Sequence, residues 1–175
     1  MPVIYAWYFA TQPVLSGESM HFDQRLAIMA ALATLWGVRL SYNFARKGGY
    51  TWHGEDYRWE ILRSKLGFIG FQLLNVTFIA VIQNVIISWF VLPMYFAWLK
   101  RGTPLNYIDY AATGAFVFFL LMETVADQQQ WNFQQEKKKL ISAKKPLTGE
   151  FTHGFIHSGL FRHSRLPNFF AEQSM

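Results

Sequence analysis

The chain contains no cysteine, which rules out disulfides, thiolate nucleophiles and cysteine-type zinc sites and leaves the redox compartment open. Charge is scarce as well. Only 15% of the residues are Asp, Glu, Lys or Arg, against roughly 25% in an average soluble domain, while 52% are apolar. Nucleotide and hydrolase loops are missing: there is no Gly-x-Gly-x-x-Gly, no Walker loop and no Gly-x-Ser-x-Gly elbow. Nor does the chain open on a signal peptide. Met1-Pro2-Val3-Ile4-Tyr5-Ala6-Trp7-Tyr8-Phe9-Ala10 lacks a basic start and is too short to span a bilayer, which needs about 20 residues of helix. It reads as the trailing end of a transmembrane helix that begins upstream.

What the chain has in abundance is aromatic side chains, 18% of all residues, as expected where rings sit at bilayer interfaces and between packed helices. After a polar turn at Ser16-Gly17-Glu18-Ser19, Asp23 is a good N-cap for a helix over 24–44. Arg39 is the lone charge in its apolar body, and it fits either a depth anchor that snorkels to the interface or an inward-facing ligand contact. Arg46-Lys47-Gly48-Gly49 stops that helix with last-turn cations and C-terminal glycines. The polar stretch 50–65, with Trp52, Tyr57 and Trp59 among charges, reads as a short interfacial helix. An apolar run over 66–99 follows; it predicts a helix over 66–91, a break near Pro93 and a short connector. On that helix Gln72, Asn75, Ile79, Gln83 and Ile86 fall near one face, and amides in lipid turn toward other helices. Asn75-Val76-Thr77 matches a glycosylation sequon but lies at bilayer depth. Thr103-Pro104 then predicts a cap and a first-turn proline, opening a helix over 105–126 that continues through Asp127 to Trp131.

These elements add up to an all-α, multi-pass integral membrane helical bundle forming a single domain over 1–175. It has about three full transmembrane helices (24–44, 66–91 and 105–126), a partial N-terminal one, and a polar, basic C-terminal segment (127–175) ending in an interfacial loop and helix. Three crossings put twelve of the sixteen Lys and Arg on one side and leave Arg25, Lys100 and Arg101 on the other. The basic side then faces the cytoplasm or a mitochondrial matrix, in the endoplasmic reticulum or the mitochondrial inner membrane. The net charge of +5 does not point to nucleic acid, because the run Lys137-Lys138-Lys139 and the pair Lys144-Lys145 abut a membrane helix. His153 and His157 stand four apart, but Gly154 and Gly159 weaken a helix there and no third ligand is evident, so no metal site is expected.

Two places look built for a ligand. On the third span Glu123, Asp127, Gln130 and Gln134 share a face, and intramembrane carboxylates cost roughly 2.5 to 3.5 kcal/mol each, so they need a partner or a purpose. The second is the closing stretch, Gly159-Leu160-Phe161-Arg162-His163-Ser164-Arg165-Leu166-Pro167-Asn168-Phe169-Phe170-Ala171-Glu172-Gln173. Pro167 suits a first helical turn, and beyond it Asn168 and Glu172 stand on one face.

Several pieces in order resemble the steroid 5-alpha-reductase-like superfamily, and within it the DUF1295 group. They are Pro2-Val3-Ile4-Tyr5-Ala6-Trp7, Trp36-Gly37-Val38-Arg39-Leu40-Ser41-Tyr42-Asn43-Phe44, Gly49-Tyr50 with Glu55-Asp56-Tyr57-Arg58-Trp59, Ala126-Asp127-Gln128-Gln129, and the closing block. The resemblance covers nearly the whole chain. It implies NADPH, clasped by the closing block and the end of the preceding helix, and reduction of a carbon–carbon double bond in a sterol or related lipid. It carries cofactor contact to Asp127, Arg165, Asn168 and Glu172, with Arg162 and Glu123 beside them. Arginines can pair phosphate oxygens, and carboxylates and amides can hold ribose hydroxyls and the carboxamide. Leu166, Phe169 and Ala171 stand where the family has His, Tyr and Gly. The acid–base pair of characterised reductases lies largely on earlier helices, so no catalytic residue is assigned and the chain is expected to be a piece of a longer protein or a shortened relative. Two functions follow: a membrane lipid reductase, or a non-catalytic accessory subunit of a larger membrane assembly, such as a respiratory complex, that keeps the reductase fold.

Overall fold

The computed structural model describes residues 2–17, 22–51 and 57–175, so residues 52–56 of the expected interfacial helix and 18–19 of the first turn lie outside it. Among the described residues all regular structure is helical. The chain divides into two compact units, Met1–Asn106 and Tyr107–Met175.

The first unit is built on close contact between α1 (Pro2–Leu15) and α2 (Gln24–Arg46). Ala6 and Ala10 stand one turn apart on α1, Leu26 and Ala30 one turn apart on α2, and all four are fully enclosed. Small side chains let two backbones approach, which is how helices associate where apolar surface alone gives no preference. Further along α2, a Cβ at Gly37 would come within 2.9 Å of the Val3 side chain. The rings at this contact are tied down: Trp7 Nε1 donates to Thr34 Oγ1 (2.9 Å), and Trp98 Nε1 donates to Gln12 Oε1 (2.8 Å). Trp98 belongs to α5 (Leu92–Leu99), which packs on both α1 and α2. The connector expected after Pro93 is therefore a helix, because Pro93 occupies its first turn, where a missing N–H costs nothing.

Asp23 caps α2 as expected: Oδ1 accepts from Leu26 N–H at 3.1 Å. Its other oxygen accepts from Gly102 N–H at 2.8 Å, while Arg25 donates to Thr103 Oγ1 (2.7 Å) and to Pro104 O (3.1 Å). The Thr103 hydroxyl also donates to Lys100 O. It is thus engaged on both sides and does not cap the next helix, which starts at Tyr107 instead of 105.

Between α2 and α5 the chain runs as α3 (Tyr57–Leu74), a π-helical stretch Asn75–Ile82 and α4 (Gln83–Trp89). Gly67, with φ +65°, breaks α3 sharply. The Trp59 and Phe71 rings meet at 6.2 Å, although twelve residues of straight helix would separate them by about 18 Å. Arg63 sits 4.9 Å over the same Phe71 ring. The helical run beyond that break is residues 68–89, at most about 33 Å long at the α-helical rise of 1.5 Å per residue, close to the thickness of a bilayer core. The π-helical stretch interrupts the single face expected for Gln72, Asn75, Ile79, Gln83 and Ile86. Polar residues in and after it bond their own helix: Thr77 Oγ1 donates to Leu73 O (2.7 Å), Asn84 Nδ2 to Ala80 O (3.0 Å) and Ser88 Oγ to Asn84 O (2.8 Å).

The second unit hangs on α6 (Tyr107–Ser142), 36 residues and about 54 Å long, extending eleven residues past the expected Trp131. Its first half is apolar and its second half is polar and basic. The chain then reverses and comes back along the same helix. The Phe151 ring stacks on Phe133 (5.0 Å, 11° between planes), Leu160 reaches Gln129, Asn168 reaches Asp127, and Phe170 meets Phe119 edge-on at 6.1 Å. Two helices, Trp59–Trp89 and Tyr107–Ser142, are long and apolar enough to cross a membrane. Among the described residues α2, with its three arginines, is not one of them, so two rather than three of the expected spans meet that test.

Candidate functional site

The returning segment crosses α6 over the stripe that holds Glu123, Ala126 and Phe133, the three buried residues of that helix. Their spacing of three and seven is one face of an α-helix. Ala126 and Ala171 are both fully enclosed, as is Pro167. These small and rigid residues bring α8 (Pro167–Ser174) down onto α6. Pro167 holds the first position of α8, as expected, and Leu166 before it is non-helical (φ −138°, ψ 69°), in keeping with the clash that keeps a residue before proline out of the α region.

At this contact two of the expected site residues meet. Asn168 Nδ2 donates to Asp127 Oδ1 at 3.3 Å. The pairing orients the amide, since turning it over would set two acceptors against each other. It also leaves the Asn168 carbonyl oxygen buried and without a hydrogen-bond partner among the described residues. Glu123, one turn before Asp127, is only 3% exposed. Glu172, one turn after Asn168, is half-buried. The acids and the amide thus occupy facing turns of two antiparallel helices.

Arg162 and Arg165 lie at the edge of this contact. Arg162 ends a tight turn, Gly159–Arg162, and Arg165 sits in the loop that joins the turn to α8. Both side chains are exposed. Gln130 and Gln134, expected on the same face as the carboxylates, are half-buried beside the stripe. Of the three positions that depart from the family block, Leu166 is 59% exposed and Phe169 57% exposed, so both point largely away from protein, while Ala171 is fully enclosed against α6.

The sequence reasoning passed over Gln129. Its Oε1 accepts from Leu160 N–H at 3.1 Å, which fixes the arginine-bearing turn to α6. One signal was available, because Gly159 opens the closing block and needs φ +59°, a turn that something must hold. His157 serves the fold farther along: its Nδ1 lies 3.2 Å from Glu150 Oε1, Ser158 Oγ donates to Glu150 Oε2 at 3.2 Å, and the His153 ring lies 6.0 Å from the His157 ring.

A family model described as a protein of unknown function (DUF1295) matches residues 1–175. An uncharacterised protein of Schizosaccharomyces pombe is 37% identical over 159 residues, which are 86% of this chain and 46% of that protein. The chain therefore spans about half the length of the curated relative it matches. No solved structure matches the chain.

Proposed function

The chain belongs to the DUF1295 family, in the steroid 5-alpha-reductase-like group, and on that premise we propose that it is the cofactor-holding part of a membrane oxidoreductase acting on a lipid carbon–carbon double bond. The observation that carries the reading is the Asp127–Asn168 pair with its buried, unsatisfied amide oxygen. A buried acceptor without a donor costs about 1–3 kcal/mol, and a ligand amide or hydroxyl would relieve it. This fits the carboxamide or ribose end of NADPH. Glu123 and Glu172 add carboxylates that accept from hydroxyls, and the exposed Arg162 and Arg165 supply forked donors for phosphate oxygens. NADPH, when bound, supplies the hydride for reduction. The protein's own part is to bind, orient and shield: Asp127 fixes the Asn168 amide, and Ala126 and Ala171 keep the two helices close enough to exclude water. The apolar half of α6 sets this site at the border of a candidate span, where a sterol or similar lipid can arrive laterally.

The test is NADPH binding to the full-length native polypeptide in detergent, followed by thermal shift and equilibrium titration. Asn168→Ala and Glu172→Ala are each expected to weaken binding about tenfold, the equivalent of one lost hydrogen bond to a polar ligand group. No thermal shift with the unmodified protein, or full affinity in both variants, would sink the reading. The second reading, a non-catalytic subunit of a membrane assembly, draws on residues 68–89, most of whose side chains are exposed. It requires stoichiometric partner chains to co-purify from native membranes.

A further inference from the structure

We propose that Gln129 is a positioning residue for the ligand site: it holds the turn that carries Arg162, and so sets the phosphate-binding end of the site without touching the ligand. The inference rests on the cofactor reading above. Gln129 is half-buried on α6, and its amide oxygen takes the N–H of Leu160, the second residue of the turn. The bond also depends on the glycine beside it. A Cβ at Gly159 would lie 2.6 to 2.8 Å from the three terminal atoms of the Gln129 side chain, so the amide occupies the space that any other residue at 159 would fill. Gly159 is also left-handed, with φ +59°.

The clamp fixes one end of a short arch. Beyond Leu160 the turn closes on itself, with His163 N–H donating to Leu160 O at 3.1 Å and Ser164 N–H to the same oxygen at 3.4 Å. The other end of the arch is the Asp127–Asn168 bond. Arg162 and Arg165 lie between these two anchors, both exposed. An arginine fork binds phosphate well only when its backbone is fixed in place, because the planar guanidinium is directional. Asp127 and Asn168 hold the amide end, and Gln129 with Gly159 holds the arginine end. The two anchors stand two residues apart on α6, so one rigid helix sets their spacing.

The experiment is a double-mutant cycle in the full-length native polypeptide, reading NADPH affinity by titration and amide exchange at Leu160–Arg162 without ligand. Gln129→Met keeps the volume and removes the acceptor. It is expected to speed exchange at the Leu160 amide and to weaken NADPH about five- to tenfold. Arg162→Ala is expected to weaken NADPH about tenfold. The double variant should bind about as Arg162→Ala alone does, because a clamp that acts through Arg162 has nothing left to position. Gly159→Ala, which displaces the amide instead of deleting it, should repeat the Gln129→Met result and serves if that variant does not fold. Losses that multiply to about a hundredfold, or full affinity in Gln129→Met, overturn the proposal and leave the cofactor reading standing. If the unmodified protein does not bind NADPH, the cofactor reading falls, and unchanged Leu160 exchange in Gln129→Met would separately dismiss the clamp.

Discussion

Asp23 does two separate jobs with its two carboxylate oxygens, one capping α2 and the other holding Gly102 in the loop before α6. An N-cap contributes about 0.5–2 kcal/mol and a hydrogen bond to a charged group about 1.5–3 kcal/mol, but both contacts here are partly open to solvent. Asp23→Ala is therefore expected to destabilise the protein by about 1–2 kcal/mol. Asp23→Asn should lose about half of that, because its carbonyl keeps the cap while its NH₂ cannot accept from Gly102. Thermal unfolding in detergent followed by helical circular dichroism separates the two. The cap was readable from sequence because it acts within three residues. The Gly102 bond was not, because it joins positions 79 apart. Gln129 illustrates the same limit: in a run of three glutamines nothing local distinguishes the one that reaches Leu160.

At the scale of elements, the contact between α6 and α8 depends on two alanines with no exposed surface, Ala126 and Ala171. Enlarging either one forces the helices apart. Ala126→Leu and Ala171→Leu are each expected to cost about 1–3 kcal/mol through overpacking and to release α8 from α6. Amide exchange in residues 167–174 should then rise sharply. Val125→Leu, one residue away on the same helix but 49% exposed, should leave both stability and exchange unchanged. Equal effects at 125 and 126 would mean that the helices are not in the close packing described. Gly67 is a second hinge of this kind, since its φ of +65° lets Trp59 and Arg63 fold onto Phe71. Gly67→Ala is expected to cost about 1 kcal/mol or more, because a side chain disfavours that conformation. The loss should appear as a lower unfolding temperature and a change in Trp59 fluorescence.

At the scale of the whole molecule, residues 68–89 and the apolar half of α6 present large exposed side chains, including Phe68, Ile69, Leu73, Phe118 and Leu121. Apolar surface of this extent in water favours aggregation, and in a bilayer it is the natural lipid contact. The full-length native polypeptide is accordingly expected to remain in the membrane pellet after alkaline carbonate extraction. Release into the supernatant would reject the membrane reading.

Helix type, the Asp23 cap, the stop after Arg46 and the start of α8 at Pro167 were all legible in residue order, because hydrogen bonds within one turn and the fixed φ of proline decide them. The apolar run over 66–99 announced a long helix, but not the break at Gly67 or the π-helical stretch Asn75–Ile82 within it. Other features depended on contacts between distant positions. The reversal after Ser142 lays the closing block back along α6, and only then does Asn168 meet Asp127 and Gln129 take hold of Leu160. Residue order named Asp127 and Asn168 as candidates, but the antiparallel packing of α8 on Ala126 joined them. A 3.3 Å bond between residues 41 apart exists only once close-packed helices have set the distance.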